Sequence, residues 1–240
     1  MTNASQHIVI IGGTSGIGLA AAQRLSGGGA RVTVVGRDPA RLARTRETLG
    51  DTVSALPLDA SDPVEVRKFF AALGAFDHLV LALGSGRGAG PFVGLDLNQV
   101  RRGFEEKVWP HLLCAQAALP TIRKDGSMTF ITAVSAQMTA PGTAGLAAAN
   151  GALSVVAPVL AAELRPLRVN AVSPGVVDTA WWDFLGEEQR RSAFADFARR
   201  TPVGRVGAPD DVAKAIAFLI ADDFMTGHVL VCDGGLRVAA

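Results

Sequence analysis

Apolar residues in this chain come in short β-branched bursts, separated by longer stretches whose hydrophobic positions recur at helical spacing. The bursts at 7–11, 31–35, 52–56, 78–83, 127–132, 168–172 and 228–232 predict strands. Helices are predicted over 16–25, from Asp38-Pro39, from Asp62-Pro63-Val64-Glu65, and over 104–122, 146–164, 183–200 and 210–221. Asp ahead of a proline at the first helical position is an N-cap signal. Asp62 and Glu65 also have the spacing of a capping box. The 78–83 burst is apolar almost throughout, as expected of a strand covered on both faces. The alternation predicts a Rossmann-like doubly wound α/β fold: a parallel sheet of about seven strands, helices on both faces, right-handed crossovers, and one domain over 1–240.

Composition narrows the class. The chain has 240 residues, 49% of them hydrophobic, enough for one large core. Its 23 basic and 22 acidic residues nearly cancel and form no basic run, so nucleic acid is not an expected partner. Cys114 and Cys232 make no disulfide framework, and no Cys/His cluster has metal spacing. Met1 to Gln6 is polar, with no secretory pattern. No apolar run of membrane-spanning length is free of a charge, Gly or Pro. The expectation is a soluble cytoplasmic enzyme acting on a small molecule, with no membrane partner.

The first candidate site follows the first strand. Gly12-Gly13-Thr14-Ser15-Gly16-Ile17-Gly18 leads directly into a helix. Glycine lets the backbone approach a diphosphate, and the helix N-terminus presents free N–H groups and partial positive charge. Gly18 lets the helix pack close to the sheet. The second strand ends Val34-Val35-Gly36-Arg37, with no acid at its tip to bind ribose hydroxyls. Arg37 there favours NADP(H) over NAD(H), because its planar cation suits a 2′-phosphate. Asp38 has a separate task as helix cap. Gly84 opens a glycine-rich stretch after a strand, where binding loops gather.

At this point the chain resembles the short-chain dehydrogenase/reductase family over nearly its full length. The resemblance rests on Gly12–Gly18, Leu58-Asp59, Val169-Asn170-Ala171-Val172-Ser173-Pro174-Gly175, Val177-Asp178-Thr179, Pro209-Asp210-Asp211-Val212-Ala213 and Asp233-Gly234-Gly235. It implies that Asp59, with Ala60 beside it, meets the adenine. It also places Ala82 and Gly84, and Pro174, Gly175, Val177 and Thr179, along the cofactor. The family's catalytic group is Asn, Ser, Tyr and Lys, the last two spaced Tyr-x-x-x-Lys. Matched residue by residue, the serine falls on Ala133, the tyrosine on Leu146, the lysine on Asn150 and the asparagine on Lys107. The chain contains no tyrosine at all, so no other alignment restores the phenol.

Lysine and amide have thus exchanged helices. Lys107 becomes the candidate proton donor, with Asn150 opposite it and Thr132 and Ser135 as candidate hydrogen-bond donors to a carbonyl. The plainer alternatives are that Lys107 touches only cofactor ribose or solvent, that Asn150 bonds backbone, and that Thr132 is an ordinary strand residue. His111 reads as core or surface, and His7, His78 and His228 as structural strand residues. Trp181 and Trp182 fall in the family's lid, where they either cover an apolar substrate or pack within the lid. Three functions remain open: a reductase with a replaced donor, a non-redox enzyme on the same fold, and a catalytically silent NADP(H)-binding protein. A methyltransferase would want an acid at the tip of the second strand, and no Gly-Lys-Ser/Thr supports a phosphate-transferring loop. By analogy with the family, a homodimer or homotetramer is expected through the helices at 104–122 and 146–164. Leu146, Leu153, Val156 and Leu160 supply its apolar stripe.

Overall fold

Seven parallel strands form one sheet in the order β3-β2-β1-β4-β5-β6-β7. The computed structural model describes residues 6–239, apart from the side chain of Asp51. The strands are β1 (His7–Ile11), β2 (Arg31–Gly36), β3 (Val53–Pro57), β4 (Phe76–Leu81), β5 (Ile122–Ile131), β6 (Arg168–Pro174) and β7 (Val229–Cys232). The helices are α1 (Gly16–Gly27), α2 (Pro39–Leu49), α3 (Pro63–Leu73), α4 (Leu97–Gly103), α5 (Trp109–Ala118), α6 (Ala144–Glu163), α7 (Glu187–Arg200) and α8 (Pro209–Ala221). One apolar cluster joins α1 and α8 to one face of the sheet, around Ile8, Ile10, Leu25, Val80 and Ile216. The other joins α3, α5 and α6 to the opposite face, around Phe70, Phe76, Cys114, Phe130 and Leu153. The chain winds outward from β1 to β3, then returns to β4 on the other side of β1. That reversal opens a crevice at the carboxyl ends of β1 and β4.

The cap signals act as their chemistry predicts. Asp38 accepts from the N–H groups of Ala40 and Arg41, and Asp62 from those of Val64 and Glu65. The second box is only half formed, because Glu65 accepts from the N–H of Asp59 instead. Other boundaries differ from the sequence reading for local reasons. The helix expected over 104–122 starts earlier, at Leu97, and contains a π-helical turn, Phe104–Val108, immediately before α5. Pro110 lacks an N–H and its ring crowds the preceding turn, which accounts for a widened turn there. Ile122 belongs to β5, which starts five residues before the expected position at Ser127. Its register with β4 shifts between Phe76 and His78. Gly126 permits the irregularity, since a Cβ there would lie 1.8 Å from the Asp77 carbonyl oxygen. His7 and His78 are buried strand residues, bonded to Thr33 and Ser127, but His228 is exposed and precedes β7.

The stripe expected to be free on α6 is not. Leu153 is fully buried, Leu160 packs against the same core, and Leu146 faces the crevice. The exposed apolar residues are Val155 and Val159, 67% and 49% accessible. By length and composition α6 could cross a membrane, yet it contains Gly145, Gly151 and Pro158 and a third of it is buried inside the molecule.

Candidate active site

A cavity of about 610 Å³ fills the crevice. Its floor begins at the turn after β1. Gly12 and Gly16 there have φ of +81° and +51°, a region that L side chains resist. A Cβ on Gly12 would stand 2.8 Å from the Ala82 carbonyl oxygen, and one on Gly18 would stand 2.3 Å from the Gly12 oxygen. The glycines therefore let β1, β4 and α1 converge at van der Waals contact. Ser15 is the N-cap of α1 but makes no side-chain cap bond, and the first turn carries no acid. The first-turn N–H groups are left for an anion. Gly12, Ser15, Gly16 and Ile17 line the cavity, as do Ala82, Gly84, Pro174, Gly175, Val177 and Thr179. Thr14 and Gly18 instead shape the turn, Thr14 packing against Gly36.

The tip of β2 is basic. Arg37 is exposed, and Arg41, which the sequence reading did not single out, lines the cavity near Ser15. Its position was available in the sequence: one turn into a helix, a side chain reaches back toward the N-terminus. Asp38 sits between them with its carboxylate committed to the α2 cap. Asp59 and Ala60 lie beyond this cavity. The Asp59 carboxylate accepts from the Ser61 hydroxyl and N–H, which lowers its pKa.

The opposite end is built around Lys107. It sits in the π turn, is only 7% exposed and lines the cavity. Its ammonium donates to Asn150 Oδ1 at 2.7 Å and to the Thr132 carbonyl at 3.3 Å. Asn150 in turn donates to Ser135 Oγ at 3.2 Å and to the Leu146 carbonyl at 2.9 Å. An ammonium has three protons, so one remains for the cavity. Burial, with no carboxylate partner among the described residues, brings the Lys107 pKa down to about 8. Lys107, Asn150 and Ser135 therefore come together as one bonded set. Thr132 joins by its backbone and not by its hydroxyl: Oγ1 donates to the Val172 carbonyl, so it is not directed at a substrate. The cause is its place at the end of β5, against β6, where the carbonyl is the nearest acceptor.

Aromatic side chains close the mouth. Trp181 and Trp182 both line the cavity, with Leu146, Met138 and Phe197. Trp182 is fixed by an Nε1–H bond to Val177 and by contacts with Phe184, Phe194 and Phe197. Trp181 packs on Trp182 and Phe184, and its ring lies against Gly86. The helix expected from 183 starts at Glu187 because this aromatic segment precedes it. Arg190 ties the segment down, binding Asp178, Asp183 and the Thr179 carbonyl. His111 is wholly buried and does not reach the cavity.

Comparison with known proteins agrees with this geometry. The family model described as enoyl-(acyl carrier protein) reductase matches residues 12–237. An uncharacterised oxidoreductase of Methylorubrum extorquens is 34% identical, over 95% of this chain and 96% of its own. A short-chain dehydrogenase/reductase of Stachybotrys chlorohalonatus is 32% identical, over 96% of each. Among solved structures, a small-chain dehydrogenase in complex with NADPH superposes with a TM-score of 0.85 at 31% identity, covering 98% of this chain and 99% of its own. A short-chain oxidoreductase from Pseudomonas aeruginosa PAO1, described as containing an atypical catalytic center, gives 0.88 at 28% identity, with 97% of each covered. The chain belongs to the short-chain dehydrogenase/reductase family. It is thus a nucleotide-binding oxidoreductase on a Rossmann-like sheet, of a family whose members depend on NAD(P).

Proposed function

We propose that the protein is an NADP(H)-dependent carbonyl reductase or alcohol dehydrogenase in which Lys107 takes the place of the missing catalytic tyrosine as proton donor. The observation that carries this is the Lys107 ammonium: buried, unneutralised, held by two acceptors, and left with one N–H at the cavity. The turn after β1 fits a dinucleotide, since its glycines leave room that a Cβ would fill and the α1 amides are uncapped. The amides would hold the diphosphate, and Arg37 and Arg41 the 2′-phosphate. The nicotinamide, when bound, supplies or accepts the hydride. Lys107 donates a hydrogen bond to the substrate oxygen and gives its proton to the developing alkoxide. An acid with a pKa near working pH suits that task. Ser135 accepts from Asn150, so its own hydroxyl is free to orient the carbonyl. Leu146, Met138, Trp181 and Trp182 exclude water and favour an apolar carbonyl compound.

The test is NADPH oxidation, followed at the reduced-nicotinamide absorbance across a panel of hydrophobic ketones and aldehydes. Consumption is expected with several. Tight cofactor binding without any oxidation overturns the redox reading. Substrate turnover at unchanged cofactor redox state then identifies a non-redox enzyme, and ligand-dependent partner capture without turnover a silent binding protein.

We also propose a homodimer or homotetramer that covers the outer face of α6. Val155 and Val159 are exposed there on a helix of mean hydropathy 1.7. Sedimentation velocity should show an assembly for the native chain and a monomer for Val155→Glu/Val159→Glu. A native monomer at micromolar concentration refutes the assembly.

A further inference from the structure

The bonds to Asn150 and the Thr132 carbonyl fix only the tip of the Lys107 side chain. The ammonium is at the end of a four-carbon stem, and the π turn beneath it departs from regular helix geometry. A side chain also faces the Lys107 carbonyl. His111, one turn on, places Nδ1 2.7 Å from it. The Nε2 of the same ring lies 3.0 Å from the carbonyl of Leu81, the last residue of β4. The ring is wholly buried and stacks on Phe130 of β5, with centroids 6.0 Å apart. One imidazole thus spans the two walls that enclose the cavity: the turn carrying Lys107, and the strand end that leads into Ala82 and Gly84.

We infer that His111 is a positioning residue: its buried ring, wedged between the Lys107 carbonyl and the end of β4 and stacked on Phe130, fixes the turn that carries Lys107 and thereby sets how far the ammonium reaches into the cavity. The inference rests on the reading of Lys107 as proton donor, and adds the group that holds it there. The proton inventory gives the clamp a signature. Two carbonyl acceptors can both be satisfied only by an imidazolium. Burial, and then the charge of the Lys107 ammonium, oppose that state and push the His111 pKa down to about 3. The Lys107 ammonium is the charge that lowers the His111 pKa, after burial, and the Lys107 shift itself arises from burial. The neutral ring has one N–H, so it donates to one of the two carbonyls and its bare nitrogen faces the other. The state of the lysine is therefore felt by the ring.

The test uses His111→Leu, which keeps bulk and loses the donor, and His111→Gln, which restores an N–H. The chain has only four lysines, and Lys68, Lys124 and Lys214 are exposed. The Lys107 side chain can therefore be titrated by NMR in cofactor-free protein after isotope labelling. In His111→Leu its pKa should rise from about 8 toward 10, as the loosened turn lets the ammonium reach water. Turnover should fall about tenfold with NADPH affinity unchanged, and His111→Gln should recover most of both. An unchanged Lys107 titration in folded His111→Leu overturns the clamp. Should that variant not fold, the native protein decides. The His111 ring nitrogens should show one fixed tautomer and an inflection at the Lys107 pKa, and absence of either overturns it equally. Because the titration needs neither cofactor nor turnover, it reports on the clamp even where Lys107 proves not to be the donor.

Discussion

Lys107→Met lowers turnover for carbonyl reduction by about 100-fold or more, the range expected for loss of a general acid. NADPH affinity should stay within about twofold, because the phosphate end of the cavity is untouched. The native pH profile carries the same assignment. On the proposed mechanism reduction needs the protonated lysine, so its rate should fall as pH rises through about 8, while alcohol oxidation should rise over the same interval. Both limbs should vanish in Lys107→Met. A variant retaining turnover within about threefold of native removes Lys107 from the mechanism.

The same residue leaves a mark on stability. Its pKa is about 8 in the folded chain, against about 10.4 in an unfolded one. Between those values the unfolded chain binds more protons, so stability rises with pH across that window, by at most about 3 kcal/mol. Below the window both states are charged and the burial penalty applies in full. Lys107→Met should abolish the difference. It removes the buried charge but leaves Asn150 Oδ1 and the Thr132 carbonyl without their donor, a cost of about 1–3 kcal/mol. The two effects nearly offset each other at neutral pH, so the informative readout is the pH slope of chemical denaturation and not a single midpoint.

Legibility from sequence followed the range of the interactions. Strand bursts, the Asp38 and Asp62 caps and the glycine turn all depend on neighbours within a few residues; the caps and the turn appear where their patterns place them, and the seven strands appear with shifted ends. The exchange of lysine and amide between helices was readable as two positions. The direct bond between Lys107 and Asn150, across 43 residues, was not, since it depends on how the π turn packs against α6. Pro110 was visible, yet the π turn before it depends on where the carbonyls of the preceding turn find partners. The hydroxyl of Thr132 was misread for a similar reason: its acceptor belongs to β6, 40 residues away. His111 looked inert because a histidine among apolar neighbours has no sequence signal for what its two nitrogens face.

Cofactor choice yields the other large effect. Replacing Arg37 and Arg41 together with alanine should weaken NADPH binding by at least about 100-fold, since each charge-assisted contact is worth about 1.5–3 kcal/mol when a phosphate is its partner. NADH lacks the 2′-phosphate, so its affinity should move by no more than about twofold. Asp38 does not counter the preference. Its carboxylate accepts from two α2 amides and lies 3.5 Å from the Arg41 guanidinium, so its charge is already engaged. Native NADPH affinity should also fall as salt is added, and in the double variant that dependence should flatten toward the one NADH shows. Calorimetric titration of both cofactors into both proteins measures all four affinities. Equal losses for NADPH and NADH would mean that the arginines support the α2 tip structurally, and a native protein that binds NADH more tightly would reverse the assignment of the 2′-phosphate site altogether.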